Sequence, residues 1–230
     1  MSNYSYDSMI ASIHQPAYLP WLGYFDKISK SDVHIFFDDA LYSKKNIFNR
    51  NKIKTPLGGI WLTIPLRNKS RSKFLNEIEI DNSSNWREKH WKTISSNYKK
   101  ALFFNEYAGI FEELYSMDWK ILTDLTMKMN EKICETMGIK TKFFKSSEFE
   151  TEGRKNERII SICKAIGADV YLSGQGAKVY MNDELFHENK ITVEYQEFSY
   201  PEYHQLWGDF IPNLSVIDYM FNCGIEIHHV

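Results

Sequence analysis

Two groups of polar residues near the start of the chain have types and positions that could do chemistry. His14 follows an apolar run, where a histidine can act as a general acid or base, or bind a phosphate or carboxylate. Asp38 and Asp39 follow a second apolar run, where carboxylates could hold a cation, orient a histidine or accept a proton from an amine. Adjacent strand residues point to opposite faces, so only one of the aspartates need face a site. We predict His14, Asp38 and Asp39 as catalytic residues, with a capping histidine and a solvated aspartate turn as the structural alternatives.

A third group is the sequence Ser-Gly-Gln-Gly-Ala-Lys at residues 173–178. Small residues let a ligand approach the backbone, and free N–H groups can bind an anion. The spacing matches neither a P-loop nor a dinucleotide-binding GxGxxG motif, and a tight turn explains it nearly as well. We predict substrate-binding roles for Ser173, Gly174, Lys178 and Tyr180.

A patch rich in asparagine, arginine and lysine follows the two aspartates. Cationic and amide side chains suit a phosphate or carboxylate, and nearby aromatic rings could pack against a sugar or base. The alternatives are an exposed loop and an RNA-binding surface, the latter disfavoured by the net charge of −2. Residues 13–50 are thus predicted as the functional core, with substrate-binding roles for Gln15, Tyr18, Trp21, Tyr24, Tyr42, Asn46, Asn49, Arg50 and Lys52.

Hydrophobic spacing predicts the elements that position these groups. The opening is predicted as strand 9–14, a helix beginning near Pro20 and strand 33–37, which together form a βαβ unit with parallel strands. Residues 84–138 carry helical spacing and predict three helices, with His90 on a helix surface. Further strands are predicted at 60–66, near 78–80, and at 141–146, 169–172 and 192–198, and further helices at 156–166 and 215–222.

This alternation predicts an α/β fold with a Rossmann-like, mostly parallel sheet, flanking helices and a central helical insertion at about 84–138. The chain is predicted to form a single domain over residues 1–230. Ligands bind at the carboxyl ends of parallel strands, near the point where the strand order reverses. We therefore expect the three polar groups to lie along one edge of the sheet.

Composition narrows the function classes. The chain has 230 residues, 43% of them hydrophobic, and its charge provides no basic field for nucleic acid. The three cysteines are scattered, and HExxH, CxxC and GxSxG motifs are lacking, so neither a disulfide framework nor a metal site is predicted. Neither a membrane span nor a signal peptide is predicted, so we expect a cytoplasmic protein. Cofactor and oligomeric state are left open.

The stretch IHQPAYLPWLGYFDKISKSDVHIFFDDALYSKKNIFNRNKIK resembles the opening signature of the WbqC-like family. The later stretches IGADVYLSGQGAKVYM and FSYPEYHQLWGDFIPNLSVIDYMFNCG match too, so the resemblance runs from about Ile10 to Gly224. It implies a role in bacterial O-antigen (lipopolysaccharide) or other surface-polysaccharide biosynthesis, with a nucleotide sugar as the small-molecule partner. A fainter resemblance is to the nucleotidylyltransferases, whose strand, turn and helix carry an HxGH motif; only His14 matches it.

Three functions are open at this point. The first is transfer of an acyl or aminoacyl group to the amine of a nucleotide-linked amino sugar. The second is nucleotidyl transfer or adenylate-forming ligation on a nucleotidylyltransferase-like fold. The third is a non-catalytic binding partner of the polysaccharide machinery, in which the aromatic stretch would form an interface.

Overall fold

The computed structural model describes residues 8–43, 48–67 and 73–226, and it confirms the predicted Rossmann-like α/β fold. The strands are β1 (Ile10–His14), β2 (Val33–Phe36), β3 (Arg50–Thr55), β4 (Gly58–Thr63), β5 (Lys142–Lys145), β6 (Val170–Ser173) and β7 (Thr192–Tyr195). The helices are α1 (Leu22–Ser29), α2 (Trp86–Tyr98), α3 (Phe104–Ser116), α4 (Leu122–Thr136), α5 (Asn156–Ile166), α6 (Asp183–Glu188) and α7 (Val216–Cys223).

The chain divides into two compact units. The sheet unit comprises the described residues of Met1–Gln15, Asp26–Asp39 and Ile139–Phe198. The hairpin unit comprises those of Pro16–Phe25, Ala40–Gly138 and Ser199–Val230, including the three helices of the central insertion. The single domain expected over the whole chain stays a prediction.

The sheet unit contains five parallel strands in the order β5-β2-β1-β6-β7. Ile13 lies opposite Ile35, and all four residues of β2 are buried, as expected for a parallel strand covered on both faces. The buried cluster around this sheet includes Ala11, Ile13, Val33, Ile35, Ile160, Ile162, Cys163, Tyr171 and Phe186. Hydrophobic runs therefore predicted the strands of this sheet, with boundaries that differ by up to three residues.

The strand order places a topological switch point between β1 and β6. From β1 the chain crosses to β2, whose other neighbour is β5, whereas β6 pairs with the opposite edge of β1 and leads to β7. Numbered along the chain, the order is 3-2-1-4-5, which is that of the first five strands of the dinucleotide-binding fold. The crevice beyond the carboxyl ends of β1 and β6 is therefore the expected ligand site.

The hairpin unit holds the largest departure from the predicted elements. The Lys- and Asn-rich segment interpreted as a loop contains β3, which pairs antiparallel with β4 from Arg50–Thr63 to Thr55–Gly58. Gly58 permits the turn because its φ is 97°, a value that disfavours side chains. The strand predicted near Ile78 is instead a short 3-10 turn (Leu75–Glu77) followed by isolated bridges.

The helices predicted in the insertion are confirmed. The helix α2 packs on α3, and α3 packs on α7, which begins at the Ser215 N-cap. In the sheet unit, α5 ends at Gly167, which adopts the left-handed conformation. Among the described residues, no helix combines the length and the apolar character that a membrane span requires.

Candidate functional site

A pocket of about 680 Å³ lies in the sheet unit beyond the carboxyl ends of β1 and β6. It is lined by Ile13, His14, Gln15, Lys27, Phe37, Lys155, Asn156, Ile159, Tyr171, Ser173, Gly174, Gly176, Ala177 and Tyr180. We call it the switch-point pocket because it opens where the strand order reverses. Its position and volume are typical of small-molecule sites in α/β proteins.

The pocket brings together two of the three predicted polar groups. His14 and Gln15 enter it from the end of β1, and Ser173 and Gly174 enter it from the end of β6. Tyr180 lines it as well, with two thirds of its surface exposed. The predicted Lys178 does not line the pocket, and its ammonium lies 5.4 Å from the centre of the Tyr195 ring.

The tautomer of His14 follows from its hydrogen bond. Nδ1 lies 2.9 Å from the backbone oxygen of Gln15, which can only accept a hydrogen bond. Nδ1 therefore carries the proton and Nε2 carries a lone pair. Desolvation and the charge of Lys27 lower the pKa of His14 to about 3. The imidazole is neutral at neutral pH.

Lys27 is a pocket residue that was not predicted. It lies on α1, its surface is 4% exposed, and desolvation lowers the pKa of its ammonium to about 8. The signal in the sequence is its place within an otherwise buried helical stretch, next to Ile28 and one turn after Tyr24. A lysine on a buried helix face needs an explanation, because lysines are seldom fully buried without a partner.

Asp38 and Asp39 lie outside the lining of the switch-point pocket. The buried Asp38 carboxylate accepts hydrogen bonds from Ser146 Oγ and Ser147 N at 3.1 Å, and from Ser147 Oγ at 2.7 Å. Asp39 forms an ion pair with Arg158 of α5. These contacts join the turn after β2 to the turn after β5 and explain both carboxylates without a ligand, so their catalytic role stays a prediction.

The aromatic residues predicted between positions 18 and 42 belong to the hairpin unit, where three of them are buried. Tyr18 is inaccessible to solvent, and its hydroxyl is hydrogen-bonded to Tyr115 and, at 2.8 Å, to His90 Nδ1. The hydroxyl of Tyr24 accepts a hydrogen bond from Asn130, and Tyr42 is 7% exposed.

Trp21 and His90 belong to the same unit and differ in exposure. Trp21 is partly exposed and stacks on Tyr200. His90 packs edge-on against Trp86 and is 8% exposed, so its predicted place on a helix surface is wrong. His90 lies four residues after Trp86 and four before Ile94, so it is on the buried face of α2. Its polar side chain suggested the surface, whereas its spacing places it among the apolar residues.

The cationic patch forms one face of the β3–β4 hairpin. The guanidinium of Arg50 and the ammonium of Lys52 lie over the ring of Trp61, at 4.6 Å and 5.0 Å from its centre. Asn49 donates a hydrogen bond to the backbone oxygen of Ile64, and Asn46 lies outside the described residues. These residues belong to the hairpin unit, and the pocket lining belongs to the sheet unit.

Comparison with known proteins decides the family. A model of the WbqC-like protein family matches residues 15–230. The chain belongs to this family. The uncharacterized protein Rv1507c of Mycobacterium tuberculosis (strain ATCC 25618 / H37Rv) is 36% identical to it over 218 residues, which is 94% of each chain. No solved structure matches the chain.

The pocket of this WbqC-like protein combines a neutral imidazole with a buried ammonium. His14 offers a lone pair on Nε2, and Lys27 offers a positive charge in a desolvated wall. The hydroxyl of Ser173 and the amide of Gln15 can fix the orientation of a polar ligand. The arrangement places a positive charge and a neutral imidazole in one pocket.

Proposed function

We propose that this WbqC-like protein transfers an acyl or aminoacyl group to the amine of a nucleotide-linked amino sugar, in the biosynthesis of bacterial surface polysaccharides. The observation that supports the proposal most is the neutral His14 in the switch-point pocket, with its lone pair on Nε2. The polysaccharide setting implied by the resemblance to WbqC-like proteins supports the substrate class.

The chemistry requires one proton acceptor beside the amine. The amine nitrogen attacks the carbonyl carbon of an activated donor, which is a thioester or an ester. A C–N bond forms, and the bond from that carbon to the leaving sulfur or oxygen breaks, with the electron pair going to the leaving atom. His14 Nε2 takes the proton from the amine and passes it to the leaving group, so the products are an amide and a thiol or alcohol.

The remaining pocket residues would position the sugar nucleotide. The exposed ring of Tyr180 provides a surface on which a sugar or base can pack, and Ser173 provides a hydroxyl in the same pocket lining. The volume of about 680 Å³ holds a nucleotide-sized portion of such a ligand.

The test is incubation of the full chain with a panel of nucleotide-linked amino sugars and acyl or aminoacyl donors, with mass detection of the amide product. His14→Gln should remove activity, because glutamine cannot take up the proton. The matched control His187→Ala removes an exposed histidine of the same unit and should keep activity. Absence of product across the panel, or equal rates for wild type and His14→Gln, would overturn the proposal.

A second candidate function is nucleotidyl transfer, which one observation favours. His14 lies at the end of the first strand, before a turn and a helix, which is the arrangement on which the resemblance to nucleotidylyltransferases is based. Such an enzyme would release pyrophosphate from a nucleoside triphosphate in the presence of a sugar phosphate. Pyrophosphate release without amide formation would favour this candidate over acyl transfer.

A further inference from the structure

Lys27 is a buried cation whose partner is missing among the described residues. No described carboxylate lies within ion-pair distance of its ammonium, and no described group accepts a hydrogen bond from it. Lys30, one turn later on the same segment, reaches solvent and pairs with Asp26 at 2.9 Å. A buried ammonium without a partner is costly, so its presence needs a reason other than stability.

The walls around Lys27 are cationic or neutral. Of the described residues that line the switch-point pocket, Lys27 and Lys155 are basic and none is acidic. Asn156, the first residue of α5, also lines the pocket, and α5 spans 11 residues. The first N–H groups of a helix of this length favour an anion, in the same direction as the two lysines.

Two glycines leave space in the same pocket. A Cβ atom added at Gly174 or Gly176 would meet no atom within 4 Å, and neither residue has a φ in the left-handed region. Neither crowding nor backbone conformation therefore requires glycine at these positions. A ligand that approaches the backbone closely would require it.

We propose that Lys27 binds the phosphate group of the ligand in the switch-point pocket, beside the N-terminus of α5. The proposal rests on the proposed function in taking this pocket as the ligand site. A carboxylate shares the oxyanion chemistry, but two lysines and a helix N-terminus compensate the multiple negative charges of a phosphate or diphosphate better than a single charge.

Binding of a phosphate would also change His14. His14 interacts electrostatically with Lys27 of α1 and His34 of β2, and the other titratable groups of the pocket lining are Lys155, Tyr171 and Tyr180. The ammonium of Lys27 helps to keep the pKa of His14 low, so an anion that neutralises this charge should raise the pKa. A bound phosphate would thus make His14 a stronger base for the transfer.

The experiment measures binding of inorganic pyrophosphate and of UDP to the full chain by calorimetry at neutral pH. Lys27→Met should weaken the binding of both by about tenfold or more, the factor expected for loss of one charge-assisted hydrogen bond. Lys27→Arg should retain most of the affinity. Lys142→Met removes an exposed lysine of β5 in the same unit and should leave the affinity unchanged. Thermal denaturation of each variant establishes that it is folded.

Equal affinity of folded Lys27→Met and wild type for pyrophosphate would overturn the inference, and so would absence of pyrophosphate binding to wild type. Competition by acetate as strong as that by pyrophosphate would overturn the assignment to phosphate. A rise in the pKa of His14 on pyrophosphate binding, followed by NMR and absent in Lys27→Met, would support it. Binding that depends on Lys27 without any transfer product would uphold the inference while the proposed reaction fails.

Discussion

Replacing Lys27 by methionine should stabilise the protein, although it removes a charged residue. Burial leaves 4% of Lys27 exposed and lowers its pKa from 10.5 to about 8. At about 1.4 kcal/mol for each pKa unit, the protonated lysine destabilises the folded state by about 3 kcal/mol. Methionine fills similar space without this desolvation, so we expect the free energy of unfolding at neutral pH to rise by about 3 kcal/mol. For a chain of this size the midpoint of thermal unfolding should rise by about 6–12 °C.

The pH dependence of the free energy of unfolding tests this prediction most directly. Between about pH 8 and pH 10.5 the unfolded chain holds a proton that the folded chain has lost, so the stability of wild type rises with pH. The difference in free energy of unfolding between Lys27→Met and wild type should therefore shrink over this pH range and vanish above it. Other titrating groups contribute equally to both proteins and cancel in this difference. Urea unfolding followed by fluorescence measures it, with Lys142→Met as a control within about 0.5 kcal/mol of wild type. An advantage absent at neutral pH, or independent of pH, would refute the reasoning.

Three further predictions concern groups outside the pocket. Asp38→Asn should lower the free energy of unfolding by about 2 kcal/mol, because it weakens the hydrogen bonds to Ser146 and Ser147, and the folded variant should keep its activity. Loss of activity at unchanged stability would instead support a catalytic role of Asp38. Tyr18→Phe should cost about 1–2 kcal/mol in urea unfolding, because it removes the hydroxyl bonded to His90, whereas the exposed Tyr180→Phe should cost little. Burial lowers the pKa of His90 from 6.5 to about 4, so between these pH values the unfolded chain binds more protons than the folded chain. Up to about 3 kcal/mol of the free energy of unfolding should therefore be lost as the pH falls from 6.5 to about 4. The same loss in His90→Gln would contradict this prediction.

The fold was predictable where burial of an element requires a recognisable pattern of apolar residues in the sequence. The strands of the parallel sheet are covered on both faces, so each appears as a short apolar run, as in residues 33–36. The helix α5 was predicted to the residue because an amphipathic pattern ends at Gly167. The strand β3 was not predicted because its sequence, RNKIKT, has the polar composition typical of a loop. The structure nevertheless buries its second half, residues 53–55.

Only those residues of the candidate site that lie at the ends of parallel strands could be predicted from the sequence. Parallel strands end at one edge of the sheet, so the ends of β1 and β6 could be expected to meet, and His14 and Ser173 share the pocket. The turn after β2 ends at the same edge, but Asp38 is hydrogen-bonded to the turn after β5. Sequence spacing does not reveal which neighbouring turn satisfies a carboxylate, because the partners are more than a hundred residues away.

The opening stretch that resembles the family signature therefore has two physical explanations. Residues 13–15 line the switch-point pocket, whereas Tyr18 and Tyr24 lie in the core of the hairpin unit with their hydroxyls hydrogen-bonded. Gly23 belongs to the second set, because a Cβ there would lie 2.2 Å from the ring of Trp21. A dense string of aromatic residues is thus accounted for by packing. Chemistry is better sought in the residues that packing does not explain: a histidine that lines the switch-point pocket and a buried lysine without a described partner.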